Sequence, residues 1–119
     1  MRRFSFSMVL LAALVLAWGT AVLAADVPGM TDKEIRIGEW GPQTGPAAPW
    51  GAVARGSHMF WDIVNADGGI HGRMIKHVYF DDGYNPARTK AGVKELVEGE
   101  GVCAFVSGVG TAPGLAVMD

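Results

Sequence analysis

Hydrophobic and polar positions alternate from Glu34 to Trp40, with Ile35 and Ile37 set against Arg36. A period of two predicts a strand. The alternation then breaks into a loop that carries Pro42, Pro46 and Pro49 together with Gly41, Gly45 and Gly51. The prolines pre-set φ and stiffen the loop, while the glycines allow tight bends. From Trp50 to Ala66 the spacing turns helical, and Val53, Phe60, Ile63 and Val64 are expected near one inward face. Asp67-Gly68-Gly69 stops this helix, and Ile70-His71-Gly72-Arg73 predicts a tight turn. A second strand follows over Met74–Phe80. Ile75, His77 and Tyr79 lie on one side of it, and Met74, Lys76, Val78 and Phe80 on the other. Both faces are mixed, which places this strand near a sheet edge. Asp81-Asp82-Gly83-Tyr84-Asn85-Pro86 forms the next loop, with Asp81 and Asp82 expected to anchor it and cap the helix after it. That helix covers about residues 87–98, with Val93, Leu96 and Val97 inward. Val102–Val106 is a continuous apolar run, suited to a central parallel strand. Ser107 to Pro113 reads as a loop, and a third helix starts at Gly114.

The predicted order is β-α-β-α-β-α. Right-handed crossovers turn that order into an α/β fold: a parallel sheet with helices on both faces, the start of a Rossmann-like lobe. Ligands in such sheets sit beyond the carboxyl ends of the strands. The loop from Gly41 to Gly51 lies at such an end, which makes it a functional candidate.

The first 24 residues have a different pattern. Arg2 and Arg3 precede an apolar run from Met8 to Leu16, and Val22-Leu23-Ala24 offers a cleavage site. This is the pattern of a secretory signal peptide, so residues 1–24 are expected to be removed and residues 25–119 to form the exported domain. Export makes the compartment periplasmic. Cys103 is the only cysteine, so no internal disulfide can form, and its apolar run predicts a buried, inert thiol. Loss of residues 1–24 removes two of the ten basic residues and none of the twelve acidic ones, so the formal charge moves from −2 to −4. The basic residues are scattered, which excludes nucleic acid and an anionic membrane surface as natural partners.

The chemistry-bearing motifs are few. Gly108-x-Gly110-x-x-x-Gly114 follows a strand, and an exported nucleotide-binding enzyme is the alternative it raises. It follows the third strand rather than the first, however, and the prolines of the first loop remove N–H donors that a phosphate cradle needs. His58, His71 and His77 lack metal-ligand spacing and read as surface or half-buried polar residues. Asp81 to Asn85 lacks the residue order of a calcium loop. No catalytic group, metal or cofactor is expected.

Four motifs in order carry a resemblance. They are Glu34-Ile-Arg-Ile-Gly, Gly41-Pro-x-x-Gly-Pro-Ala-Ala-x-Trp-Gly51, Asn65-Ala-Asp-Gly-Gly-Ile-His-Gly-Arg73 and Tyr79-Phe-Asp-Asp-Gly-Tyr-Asn-Pro86. Together they resemble the leucine/isoleucine/valine-binding family, the type I periplasmic solute-binding proteins of ABC importers. The resemblance covers nearly all of residues 30–119. It implies a non-enzymatic protein of two α/β lobes that captures an amino acid, an amide or a related small molecule and docks on a membrane permease. A ligand-sensing receptor domain of the same fold is the alternative within that resemblance. It also implies site residues. Trp50 falls at the mouth of the cleft, and Thr111 matches a hydroxyl residue that binds the ligand's carboxylate. Gly110 and Ala112 would add backbone N–H groups there, and Tyr84 is a further candidate. Thr111 also reads as a helix N-cap. Members of the family are several times longer. The resemblance therefore makes these residues part of the first lobe, and residues 25–119 alone are expected to be marginally folded and to lack tight binding.

Overall fold

The computed structural model describes residues 27–118. The predicted signal peptide lies outside them. Strand β1 (Glu34–Gly41) leads through a loop and a short 3-10 turn (Ala48–Gly51) into helix α1 (Ala52–Ala66). Strand β2 (Met74–Asp81), helix α2 (Pro86–Glu98), strand β3 (Ala104–Phe105) and helix α3 (Thr111–Leu115) complete the order. The three strands are parallel, in the spatial order β2-β1-β3.

The α/β alternation and the edge position of β2 among the described strands agree with the sequence reading. The position of β3 does not. The apolar run of β3 predicts a central strand, but among the described strands β1 lies between the other two, and β3 pairs with it only at Ala104 and Phe105. The run from Val102 to Val106 still follows β1, because Cys103 N–H donates to Arg36 O at 2.9 Å and Val106 N–H to Gly38 O at 2.9 Å. Cys103 is half-buried rather than buried, and its thiol donates to Arg36 O at 3.1 Å.

The turn between α1 and β2 shows why its residues are what they are. His71 and Gly72 both have positive φ, 52° and 79°, and Ile70 and Arg73 exchange two backbone hydrogen bonds. That is a mirror-image tight turn, in which glycine relieves one of the two left-handed positions. Gly69 is fixed by space as well as by conformation, since a Cβ there would meet Arg73 O at 2.1 Å. Asn65 clamps the edge of β2. Its amide donates to Ile75 O at 2.9 Å and accepts from Ile75 N–H at 2.7 Å, occupying one residue's pair of open edge groups.

The two helices cover opposite faces of the sheet. On the α2 face, Phe80 packs where Gly92 leaves room, and a Cβ at Gly92 would come within 2.2 Å of the ring. Leu96 and Val102 are buried there, and Trp40 packs against Phe105 at 5.3 Å between ring centroids. Of the inward residues expected on α2, Leu96 is buried and Val93 half-buried, but Val97 is 49% exposed; Thr89 and Gly92 are buried in its stead.

The expected inward face of α1 is also corrected. Ala54 is buried, and Ser57, Trp61 and Val64 are half-buried, whereas Val53, Phe60 and Ile63 are exposed. Below this helix the sheet presents the buried pair Glu39 and His77 beside Ile37 and Ile75. Helix α3 begins at Thr111, three residues before its expected start.

Candidate functional site

The carboxyl ends of β1 and β2 are tied together by one carboxylate. Asp81 accepts from Gln43 N–H at 2.7 Å, Thr44 N–H at 3.3 Å, Thr44 Oγ1 at 2.7 Å and Gly83 N–H at 3.1 Å. Burial works against its ionisation, yet these hydrogen bonds outweigh burial and hold its carboxyl below the usual range. Asp82 is fully buried. It accepts from Tyr84 N–H at 2.8 Å and from the Thr89 hydroxyl at 2.7 Å, joining the second loop to α2. The anchoring role expected for both aspartates is therefore observed. The cap itself belongs to Asn85, whose side chain accepts from Ala87 and Arg88 N–H. Pro86 at the first helical position suits this start.

The anchored loops and the loop after β3 enclose a cleft of about 550 Å³. Trp50, Tyr84, Gly110 and Thr111 line it, with Pro46, Ala47 and Val109 as apolar wall. Trp50 is 64% exposed and Tyr84 42%. Tyr84 has a left-handed φ of 63°, which the hydrogen bond from its N–H to Asp82 supports. Gly110 has φ 111°, and a Cβ there would come within 2.7 Å of the Tyr84 ring. Glycine is thus the residue that lets these two loops meet. Ala112 is exposed in the first turn of α3 and is not part of the lining. Thr111 is not the N-cap. Gly110 holds that position, without any side-chain capping bond.

Two glycines of the candidate phosphate motif, Gly108 and Gly110, have a packing role, while a Cβ at Gly114 would meet open space. A Cβ at Gly108 would come within 2.4 Å of the Trp40 indole. Among the described residues, no group of three or more His, Cys, Asp and Glu is placed to hold a metal, and no helix is long and apolar enough to cross a membrane.

One polar constellation escaped the sequence reading. Glu39 on β1 is fully buried, and His77 on β2 has a side chain 3% exposed; Glu39 Oε2 lies 2.9 Å from His77 Nε2. Glu39 Oε1 and His77 Nδ1 have no partner. Burial pushes the Glu39 carboxyl up, with Ser57 of α1 acting in the opposite direction. Burial also pushes the His77 imidazole down, and His58 adds to that. His77 is half-buried and His58 exposed, as expected, but the side chain of His77 is 3% exposed and its partner Glu39 was not foreseen. The signal was present: Glu39 and His77 both fall on the inward phase of their strands. Beside them Tyr79 donates its hydroxyl to Gly41 O, and its phenol is pushed up to about 12 by burial and then by Asp81.

Comparison with known proteins settles the family. The model for the periplasmic binding proteins matches residues 34–119. The chain belongs to the periplasmic binding protein family. Members of that family are not enzymes. It is 34% identical over 69 residues to the leucine-, isoleucine-, valine-, threonine- and alanine-binding protein of Pseudomonas aeruginosa, covering 57% of this chain and 18% of that protein. A branched-chain amino acid transporter substrate-binding protein of Streptococcus pneumoniae, solved with isoleucine, superposes with a TM-score of 0.67 at 29% identity, over 71% of this chain and 24% of its own. A fatty acid ABC transporter substrate-binding protein of Thermomonospora curvata gives 0.66 at 33%, over 76% and 23%. The chain thus spans about a quarter of these structures' length or less.

Proposed function

We propose that this chain supplies one wall of an extracytoplasmic solute-binding site that serves an ABC importer, with an amino acid or a related small molecule as solute. The observation that carries this reading is the cleft at the strand ends, where Trp50 and Tyr84 face the loop of Gly110 and Thr111. Its chemistry suits a solute with a polar end and an apolar body. The Thr111 hydroxyl is available to a carboxylate, and the first turn of a helix leaves backbone N–H groups without intrahelical partners. The indole and phenol rings give apolar cover. No carboxylate lines this wall, so it offers no counter-charge to an ammonium group. Relatives that bind branched-chain amino acids and fatty acids support a carboxylate as the common element. Export through the amino-terminal signal pattern would deliver the protein to the compartment where such solutes are captured.

Calorimetric titration of the complete protein with leucine, isoleucine, valine and their amides tests the reading. Thr111→Ala is expected to weaken carboxylate binding by about 1–3 kcal/mol, the cost of leaving a charged group short of a hydrogen bond. Trp50→Ala is expected to weaken all ligands through lost apolar cover. Wild-type affinity in both variants would remove this cleft from the site.

A further inference from the structure

Asp81 does not line the cleft at Trp50, yet its oxygens accept from residues that flank the lining on two sides. On the β1 side it holds Gln43 N–H at 2.7 Å and both donors of Thr44, N–H at 3.3 Å and Oγ1 at 2.7 Å. Two residues on, Pro46 and Ala47 line the cleft. The same loop is held again just past Trp50, where the Gln43 amide donates to Gly51 O at 3.4 Å. On the β2 side Asp81 Oδ1 accepts from Gly83 N–H at 3.1 Å, and Tyr84 is the next residue.

Tyr84 needs that support. Gly83 and Tyr84 have φ of 56° and 63°, and Asn85 N–H donates to Asp82 O at 3.0 Å. This is a mirror-image tight turn with a large side chain at a position that glycine favours. Such a conformation is costly and persists only where its surroundings fix it. Here Asp82 Oδ1 takes the Tyr84 N–H at 2.8 Å, Asp81 Oδ1 takes the Gly83 N–H, and Arg88 Nη2 donates to Asp81 O at 2.8 Å. The turn sets the Tyr84 ring against Gly110, where a Cβ would come within 2.7 Å of it.

We propose that Asp81 is a positioning residue of this cleft: without touching solute, its two oxygens fix the loop after β1 and the turn after β2 relative to each other, and so set the spacing between the Trp50 wall and the Tyr84 ring. The inference rests on the reading of that cleft as the solute site and adds a residue outside its lining. The role depends on where the acceptors lie. Four donors converge on one carboxylate, and the extra C–C bond of a glutamate, about 1.5 Å long, carries the oxygens away from them. An asparagine keeps the shape: its oxygen still accepts from the three N–H groups, and its amide can donate to Thr44 Oγ1.

The test compares Asp81→Asn, which gives up the charge, with Asp81→Glu, which keeps the charge and displaces the oxygens, in the full chain and after a check for native circular dichroism. In the solute-free protein, the nuclear Overhauser contact between the Tyr84 ring and Gly110 reads the turn. Calorimetric titration with leucine reads the cleft. Asp81→Asn is expected to keep the contact and to bind leucine within about twofold of wild type, whereas Asp81→Glu should lose the contact and bind about tenfold more weakly. Thr44→Val, at an exposed position, removes the Oγ1 donor alone and should weaken leucine about threefold to fivefold; it decides the matter if Asp81→Glu is not native. Three results would overturn the inference: an intact contact or unchanged affinity in Asp81→Glu, a loss in Asp81→Asn as large as in Asp81→Glu, or unchanged affinity in Thr44→Val. If wild type binds none of leucine, isoleucine and valine, the solute reading falls and the ring contact alone decides. Lost in Asp81→Glu and kept in Asp81→Asn, it upholds the positioning; any other pattern overturns it.

Discussion

On the α2 side of the sheet, the rings of Trp40, Phe80 and Phe105 fill the space left by Gly38, Gly92 and Gly108. On the α1 side, adjacent positions of the same strands hold Glu39 and His77 under Ser57 and His58. One side is held by shape and apolar burial. The other buries Ile37, Ile75 and Ala54 together with a pair of polar groups, each with an atom left unpartnered. Buried polar pairs of this kind add little net stability, but losing one partner is costly. The comparison teaches that both sides bury apolar side chains, and that the α1 side adds a pair of groups whose state depends on protons.

Truncation on the α2 side should have the largest effect. Leu96 is 3% exposed. Leu96→Ala should destabilise by about 2–5 kcal/mol, a large share of the roughly 5–15 kcal/mol that holds a domain together. Urea denaturation checks this. A change in midpoint that amounts to less than about 1 kcal/mol would mean that α2 is not packed on the sheet as described.

The polar side should respond more modestly and with a particular pattern. His77→Leu leaves Glu39 buried with no partner and should cost about 1–3 kcal/mol. Replacing both, as Glu39→Leu with His77→Leu, removes the unsatisfied group and should recover most of that loss. If the double variant is as unstable as the sum of the two single variants, the pair is not a coupled unit.

Proton linkage sharpens the same contrast. The folded-state pKa of His77 lies below its ordinary value of 6.5, so the unfolded chain takes up a proton more readily than the folded one. Its contribution is complete above 6.5 and is lost as pH falls through the lowered folded value. Glu39 has the opposite sign: raised above 4.5, its contribution is lost as pH rises through the raised value. The two groups are in contact, so the stability change on acidification belongs to the pair. Wild type should therefore lose more stability than the double leucine variant when the pH drops below 6.5. Parallel pH profiles would show that the pair carries no linkage.

How much of this was legible in the sequence depends on the physical length scale. Alternation located β1 and β2 and separated Ile75, His77 and Tyr79 from Val78 and Phe80, because pleat geometry is local. The Gly/Pro punctuation located the loops that form the cleft. Which face of α1 turns inward was misread, since Val53, Phe60 and Ile63 share a helical spacing just as Ala54, Ser57, Trp61 and Val64 do. Hydrophobicity favoured the first set. The space under the helix, set by Glu39 and His77 on the strands below, favoured the second. Their pairing depends on β1 lying directly beside β2, a non-local fact that no window of one strand contains. The same holds for β3. Its apolar run suggested a central strand, whereas the order places β1 between the other two.

The smallest effect belongs to the outer face of α1. Val53, Met59, Phe60 and Ile63 are 40%, 67%, 56% and 63% exposed, so four large apolar side chains there face solvent in the described chain. Phe60 is a poor probe, because its ring packs edge-on against Trp61 at 4.9 Å and truncation would disturb that contact. Ile63 is the better probe. Ile63→Gln replaces an exposed apolar residue by a slightly better helix former, so propensity offsets the little burial that is lost. Stability should stay within about 0.5 kcal/mol of wild type by urea denaturation. A loss above about 1.5 kcal/mol would mean that this face is covered in solution. The comparison between the two sides would then need a third layer over α1, because only burial makes loss of an isoleucine that costly.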